Sequence, residues 1–181
     1  MTELALVVLA AGMGTRMKSA IPKVLHKIAG RSLLGHVLHA GLSLGSRKVV
    51  VVLGPDMGSV QKEASGIISD CEFAEQRDRL GTGHAVSMAK EALVEFKGVV
   101  LVLYGDAPLV KPDTLRALVG QLDGKTKMVV LGFEAQDPHG YGRLITKGKK
   151  VLDIREELDC NIRERKIKLC NSGIIAIDNA L

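Results

Sequence analysis

A glycine-containing loop near the start of the chain carries the side chains best suited to phosphate chemistry. The loop spans residues 9–17 (LAAGMGTRM), and a Pro-Lys pair that ends at Lys23 follows it. Gly12 and Gly14 let the backbone approach a phosphate closely and turn N–H groups towards it. Arg16 can hold phosphate oxygens in a fork, whereas Lys23 supplies a mobile point charge. The glycines alone favour a plain tight turn, but the two cations at this spacing favour a phosphate site.

This loop differs from two common phosphate-binding motifs. Met17 stands where a dinucleotide-binding fingerprint has its third glycine, and no Gly-Lys-Ser/Thr sequence follows as in a P-loop. The loop therefore predicts a nucleotide site of another kind.

A carboxylate, Asp106, follows the apolar run 99–103 by three residues. Ligands bind open α/β sheets at the carboxyl ends of the strands, and a carboxylate there can hold Mg²⁺ against phosphates. A turn or helix cap before Pro108 is the alternative role for Asp106.

A polar segment around Gln76 offers groups that could bind a base. The Gln76 amide carries both a donor and an acceptor, so it can read the polar edge of uracil. Gly81 and Gly83, on either side of Thr82, offer exposed backbone amides at a helix start. A surface glutamine in the polar run 75–79 and a simple helix start are the competing interpretations.

The elements that must position these residues alternate between strand and helix over the first two thirds of the chain. Hydrophobic patterns predict strands at 4–9, 48–53, 71–74 and 99–103, and helices at 33–42, 59–68, 82–94 and 112–122. Ser32 is a suitable N-cap for the first helix, and Pro112 suits the first turn of the last. This order predicts an α/β fold, a three-layer, doubly wound, Rossmann-like sandwich.

From about Lys125 onward the pattern changes to short strands joined by turns. The predicted strands are 127–133, 143–145, 151–154 and 173–177. We expect them to form a β extension of the main sheet.

The composition agrees with one α/β domain. Of 181 residues 46% are hydrophobic but only 3% are aromatic, which favours an aliphatic parallel sheet covered by helices. The net charge of +5 is too mild to indicate nucleic acid. Three cysteines without a CxxC pair favour a reducing cytoplasm, and we expect no membrane span.

Together, these motifs resemble the sugar nucleotidyltransferase family, whose signature is L-x-A-G-x-G-T-R-M followed by P-K. The run 22–30 (PKVLHKIAG) narrows the resemblance to N-acetylglucosamine-1-phosphate uridylyltransferases, the N-terminal domains of bifunctional bacterial enzymes that also carry an acetyltransferase. The segments 76–85, 103–109 and 140–143 match in order and spacing. The resemblance covers essentially the whole chain.

The resemblance implies transfer of uridylyl from UTP to N-acetylglucosamine 1-phosphate by in-line attack, which releases pyrophosphate and supplies UDP-N-acetylglucosamine for cell-wall precursors. It assigns nucleotide binding to Leu9, Ala11, Gly12, Gly14, Thr15, Gln76, Gly81 and Thr82, catalysis to Arg16 and Lys23, and Mg²⁺ to Asp106. It assigns the sugar to Tyr104, Gly142, Glu156 and Asn171.

Two of the sugar assignments leave alternatives open. Glu157 and Asp159 lie close enough to Glu156 for the register to be shifted, and Asn171 is equally suited to a turn. The same resemblance divides the chain into a nucleotide-binding part, about 1–124, and a sugar-binding part, about 125–181.

We expect the chain to end inside its domain, because it stops just after an apolar strand. Family members place a second magnesium ligand, an asparagine, further along, and many trimerise through a C-terminal acetyltransferase domain. The sequence contains neither. Two alternative functions remain. One is a nucleotidyltransferase for another acceptor, such as a hexose 1-phosphate or a molybdopterin-type cofactor. The other is a UTP- and sugar-binding fragment without turnover.

Other polar residues receive structural interpretations. His36 and His39 are three apart on one helix without a third ligand, so metal binding there is not expected. His84 is interpreted as structural, because phosphoryl transfer needs mainly positioning and charge stabilisation. The basic residues between 155 and 168 alternate with acids and predict a solvated face.

Overall fold

A computed structural model of the chain describes residues 3–14, 17–78 and 80–179. The strands are β1 (Leu4–Leu9), β2 (Lys27–Ile28), β3 (Arg31–Ser32), β4 (Lys48–Leu53), β5 (Glu72–Glu75), β6 (Val99–Tyr104), β7 (Met128–Glu134), β8 (Arg143–Lys147), β9 (Lys150–Arg155) and β10 (Leu169–Asp178). The helices are α1 (Leu33–Leu42), α2 (Gly58–Ile67), α3 (Thr82–Met88) and α4 (Pro112–Val119). No described helix has the length and apolar character needed to cross a membrane.

Four parallel strands form one half of the main sheet, in the spatial order β5-β4-β1-β6. Leu9 at the end of β1 lies opposite Val52 on one side and Tyr104 on the other, so the carboxyl ends are level. The chain fills the sheet in one direction from β1 to β5 and then returns to the other side with β6. This reversal opens a crevice between the carboxyl ends of β1 and β6.

The second half of the sheet is antiparallel and is organised by β10. This strand lies beside β6 and also pairs with β7 and β8, while β9 pairs with β8. Its pairing with β7 shifts register between Asn171 and Ile175, where Gly173 has a φ of 78°. The predicted β extension is thus continuous with the parallel sheet through β10.

The core lies on both faces of the sheet, as the prediction of a three-layer sandwich requires. Side chains alternate between faces along a strand. In β1, Leu6 and Val8 pack in a cluster with residues of α1, α2 and α4. Ala5 and Val7 pack on the opposite face with residues of α3. The α/β doubly wound architecture predicted from the sequence is confirmed.

Local capping signals also agree with the structure. The Ser32 hydroxyl accepts a hydrogen bond from the Gly35 N–H at 2.9 Å, and α1 begins at the next residue, Leu33. Pro112 occupies the first turn of α4, where its missing N–H costs nothing.

Three predicted boundaries are wrong by three residues or more. The predicted helix 82–94 stops at Met88, and a separate 3-10 turn follows at Glu91–Leu93. Tertiary packing outweighs helix propensity here, because the tighter turn keeps Leu93 in the same buried layer as the residues of α3. α4 ends at Val119 rather than near 122, and β10 begins at Leu169 rather than 173 because it pairs with β7 from its first residue.

Candidate functional site

A cleft of about 610 Å³ opens at the carboxyl ends of the parallel strands. It is lined by Leu9, Ala11, Gly12, Gly14, Met17, Lys23, Val24, Gln76, Gly81, Thr82, Ala85, Tyr104 and Asp106. The structure therefore brings together the predicted nucleotide-binding residues that it describes, with Lys23, Asp106 and Tyr104 on the same cleft. The predicted residues Thr15 and Arg16 lie outside the described residues.

The glycine loop packs closely against the segment that carries Lys23. Gly14 has a φ of 61°, and a Cβ built on it would lie 2.5 Å from the Lys23 Cβ. Any side chain at this position would be strained and would also push Lys23 away. Gly14 is therefore required by local backbone shape and by the approach of Lys23.

Lys23 and Asp106 meet across the cleft. The Lys23 Nζ lies 2.5 Å from Asp106 Oδ2, and the two side chains are 40% and 30% exposed. Asp106 is carried by the turn after β6, in which the Gly105 N–H donates to the Leu9 carbonyl at 2.9 Å. A Cβ at Gly105 would lie 3.2 Å from that oxygen, so glycine permits this close turn.

Gln76 is 4% exposed, and its amide nitrogen contacts two groups of the protein. Its Nε2 donates to the Gly81 carbonyl oxygen at 3.0 Å and contacts His84 Nδ1 at 3.1 Å. The Gly81 carbonyl can only accept, so the NH₂ group faces the protein and the amide oxygen is the atom that remains for a ligand. The Gln76 backbone N–H extends the sheet by donating to the Leu53 carbonyl at 2.7 Å.

The backbone beside Gln76 is open. α3 begins at Thr82 with Gly81 as its N-cap, which has a φ of 100° and no capping side chain. A Cβ at Gly81 or at Gly83 would meet nothing within 4 Å. The cleft thus has unobstructed main chain next to the Gln76 amide.

Tyr104, at the end of β6, lies between the cleft and the β extension. Burial raises the pKa of its phenol, an interaction with the Thr82 side chain opposes the shift, and the charges of Glu156 and Asp106 reinforce it. Gly173 packs directly on the ring, since a Cβ there would overlap it. Tyr104 therefore joins two groups of predicted site residues.

The second group consists of Gly142, Glu156 and Asn171. The Asn171 N–H donates to the Gly142 carbonyl at 2.8 Å, and a Cβ at Gly142 would lie 3.3 Å from the Glu156 carboxylate. Asn171 belongs to β10, but its Oδ1 accepts from the Gly173 N–H at 2.9 Å, as in a turn. The four predicted sugar-binding residues, including Tyr104, form one neighbourhood.

The neighbouring acid Glu157 has a different environment. It accepts a hydrogen bond from the Gly140 N–H and lies 3.6 Å from the Arg143 guanidinium. Glu156, in contrast, is exposed and lies beside Gly142. Between these two acids, the geometry favours Glu156 as the group available to a ligand.

Arg143 and His84 are both structurally important: the sequence interpretation assigns Arg143 no role and treats His84 as structural without a named partner. Arg143 is 1% exposed and donates to the carbonyl oxygens of Tyr141 and Arg165. A charged residue at the start of an apolar strand was the available signal for Arg143. The position of His84 eight residues after Gln76 gave no signal of contact, because only the fold brings the two together.

A metal ion would depend on Asp106 within this cleft. The described parts of the chain contain no group of three or more His, Cys, Asp or Glu arranged to hold a metal. Carboxylate oxygen is the ligand type that Mg²⁺ prefers, and this ion usually combines one or two carboxylates with substrate phosphates. The donor chemistry of Asp106 therefore fits a nucleotide-bound divalent cation.

Curated relatives match nearly the whole chain. It is 49% identical over 178 residues to the bifunctional protein GlmU of Xanthobacter autotrophicus, a match that covers 98% of this chain and 40% of the relative. It is 50% identical over 171 residues to the bifunctional protein GlmU of Parvibaculum lavamentivorans, with 94% and 38% covered. The chain thus spans about 40% of the length of these relatives.

Solved structures share the fold at low identity. The inositol-1-phosphate CTP transferase from T. maritima superposes with a TM-score of 0.80 at 17% identity, covering 98% of this chain and 71% of that one. A UDP-glucose pyrophosphorylase in complex with UDP-glucose superposes with a TM-score of 0.76 at 21% identity, covering 98% and 76%. Finally, the MobA-like NTP transferase domain matches residues 6–167, and the chain therefore belongs to this family.

Proposed function

We propose that this chain transfers uridylyl from UTP to N-acetylglucosamine 1-phosphate, giving UDP-N-acetylglucosamine and pyrophosphate. The proposal rests on one observation: the cation Lys23 and the carboxylate Asp106 meet in a cleft that Gln76 also lines. Tyr104 connects this cleft with the predicted sugar-binding residue Glu156. Support comes from the 49% identity to a bifunctional protein GlmU and from the resemblance to N-acetylglucosamine-1-phosphate uridylyltransferases.

The base would bind at Gln76 and Gly81. The amide oxygen of Gln76 would accept a hydrogen bond from the uracil N3–H, and the Gly81 N–H would donate to a carbonyl oxygen of the base. Leu9, Ala11, Gly12 and Thr82 line the same cleft and would contact the rest of the nucleotide.

The phosphates would lie between the glycine loop and Lys23. A phosphate oxygen of the sugar phosphate attacks the α-phosphorus of UTP, a new P–O bond forms, and the bond to pyrophosphate breaks. Lys23 and Arg16 would offset the negative charge that develops, and the loop amides would fix the phosphate positions. Because both reactants are anions, bringing them together is the main energetic task.

We assign Mg²⁺ to Asp106. When bound, the ion would neutralise charge on the phosphates and on the departing pyrophosphate. The Lys23 Nζ lies 2.5 Å from Asp106 Oδ2, so binding of substrate and ion would require Lys23 to exchange this partner for phosphate.

The sugar would bind against Tyr104, Gly142, Glu156 and Asn171. The Glu156 carboxylate can accept hydrogen bonds from sugar hydroxyls, while the Asn171 side chain can donate and accept. We retain the division at about residue 124 into nucleotide-binding and sugar-binding parts. We also propose a cytoplasmic location and a role in supplying peptidoglycan and lipopolysaccharide precursors.

Pyrophosphate release tests the proposal. The purified chain would be incubated with UTP, Mg²⁺ and N-acetylglucosamine 1-phosphate, and separately with glucose 1-phosphate or without an acceptor. We expect pyrophosphate and UDP-N-acetylglucosamine only with the first acceptor. Turnover of another sugar phosphate in preference would reject the acceptor, and UTP binding without pyrophosphate release would reject catalysis by this chain.

A further inference from the structure

Resting on the proposed function, we infer that His84 is a positioning residue that locks the orientation of the Gln76 amide and so selects uracil over cytosine. His84 lies in α3, half-buried, and its Nδ1 is 3.1 Å from Gln76 Nε2. The second contact of the same Nε2, 3.0 Å to the Gly81 carbonyl, lies on the chain segment just before α3.

The two contacts define which atom of the amide carries the hydrogens. A carbonyl oxygen accepts hydrogen bonds only, so the amide atom facing Gly81 is the NH₂ group. The His84 Nδ1 that faces the same NH₂ must then be the unprotonated acceptor, with the imidazole hydrogen on Nε2. A reversed amide would set its oxygen against the Gly81 oxygen and the Nδ1 lone pair at once.

The locked amide presents its oxygen to the base. Uracil carries a hydrogen on N3 and can donate it to this oxygen. Cytosine has a lone pair at N3, so the two acceptors would face each other. Gln76 is 4% exposed, which leaves water little opportunity to relieve such a mismatch. Thymine carries the same N3–H as uracil, so thymidine nucleotides should satisfy the lock equally well.

Among the described residues, His84 supplies one of two contacts to the Gln76 Nε2. Loss of the His84 contact leaves the Gly81 carbonyl to hold Nε2 and gives the amide access to the reversed orientation. In that orientation the NH₂ group faces the base and can donate to cytosine N3. Loss of His84 should therefore reduce the preference for uracil rather than abolish nucleotide binding.

The test is the ratio of dissociation constants for UTP and CTP, measured by calorimetry on the 181-residue chain. His84→Leu removes the hydrogen-bond acceptor, whereas His84→Asn retains an acceptor in the form of its amide oxygen. The control, His39→Leu, removes an exposed imidazole on α1, away from the cleft. We expect His84→Leu to lower the preference for UTP roughly tenfold, the size expected for one mismatched buried hydrogen bond, and His84→Asn to stay within roughly threefold of the parent. The His39→Leu ratio should be unchanged.

A His84→Leu variant that keeps the parent ratio, or that weakens UTP and CTP equally, would overturn the inference and leave the uridylyl proposal standing. A parent chain without preference for UTP would reject the proposed function and the selectivity assigned to His84 together. NMR of the parent chain with ¹⁵N-labelled histidine reports the tautomer of His84 directly, so this measurement requires no substitution. We expect an unprotonated Nδ1 on His84, and a proton on Nδ1 would overturn the lock.

Discussion

The cleft and the sugar-side neighbourhood are built by different means. Gly12, Gly14 and Gly81 line the cleft, and a Cβ added at Gly12 or Gly81 would meet nothing within 4 Å. On the sugar side, charged side chains tie segments together, with Arg143 buried against two carbonyl oxygens. Arg155 also contacts Asp153 and Glu164 there.

Because of this difference, we expect substitutions in the two regions to affect different properties of the protein. An open backbone surface gains its specificity only when a ligand fills it, so substitutions there should reduce binding or turnover more than stability. A network of buried and half-buried charges already has partners within the protein, so substitutions there should first reduce the free energy of unfolding. Four substitutions test this contrast.

The largest effect is expected in the cleft. Asp106→Asn should lower turnover roughly a hundredfold or more, because one charge-stabilising group is lost from the transition state. Stability should change little, since the Lys23–Asp106 pair is 40% and 30% exposed. Pyrophosphate release would measure turnover, and urea unfolding would measure stability. Glu72→Gln, which breaks the Lys48–Glu72 pair on the outer strand β5, is the control with near-normal turnover. Equal losses in the two variants would contradict the role of Asp106.

The next effect is expected in the sugar-side network. Arg143→Met should lower the free energy of unfolding by about 2 to 3 kcal/mol, because it leaves the Tyr141 and Arg165 carbonyls without their donor and removes the cation beside Glu157. Affinity for UTP should be preserved. Arg155→Met is the matched control, with a much smaller loss because that side chain is 36% exposed. Similar unfolding curves for the two variants would argue against a buried anchor at Arg143.

Gly14→Ala tests whether backbone shape at the cleft controls binding. The substitution should cost about 1 to 3 kcal/mol of stability for a left-handed residue, and it should also weaken UTP binding because Lys23 is displaced. Gly45→Ala carries a similar backbone strain, with a φ of 78°, but a Cβ there meets nothing within 4 Å. Calorimetry should find weaker UTP binding only for Gly14→Ala. A parallel loss in Gly45→Ala would mean that strain alone explains the result.

The smallest effect concerns acid stability of the sugar side. The pKa of Glu164 is lowered, first by the Asn161 backbone N–H and then by Arg155. Its contribution to stability is therefore present above the ordinary glutamate value of 4.5 and is lost as the pH falls through the lower folded value. Glu164→Gln should lose less stability than the parent over that window in thermal unfolding. Exposed Glu95→Gln serves as control, and indistinguishable pH profiles would reject the assignment.

The sequence predicted where the cleft lies because its determinants are local. The glycine loop, Gln76 and Asp106 each follow a predicted strand, and parallel strands bring their carboxyl ends to one edge. The capping of α1 by Ser32 and the start of α4 at Pro112 are likewise local and are confirmed.

The remaining features depend on contacts between distant segments. The early end of α3 reflects packing of Leu93, which local propensity does not encode. The contact between His84 and Gln76, and the hydrogen bonds of Arg143 to the Tyr141 and Arg165 carbonyls, require the finished fold. The assignments of individual residues to base, phosphate, sugar and metal stay predictions until a ligand complex is examined.

A crystal structure of this chain with UDP-N-acetylglucosamine and Mg²⁺ is the most direct test of the central claim that the cleft and the sugar-side neighbourhood form one continuous substrate site. We predict uracil against the Gln76 oxygen and the Gly81 N–H, the diphosphate near Lys23 and Asp106, and the sugar between Tyr104, Glu156 and Asn171. A base bound outside the cleft, or a sugar turned away from Glu156 and Asn171, would contradict the account.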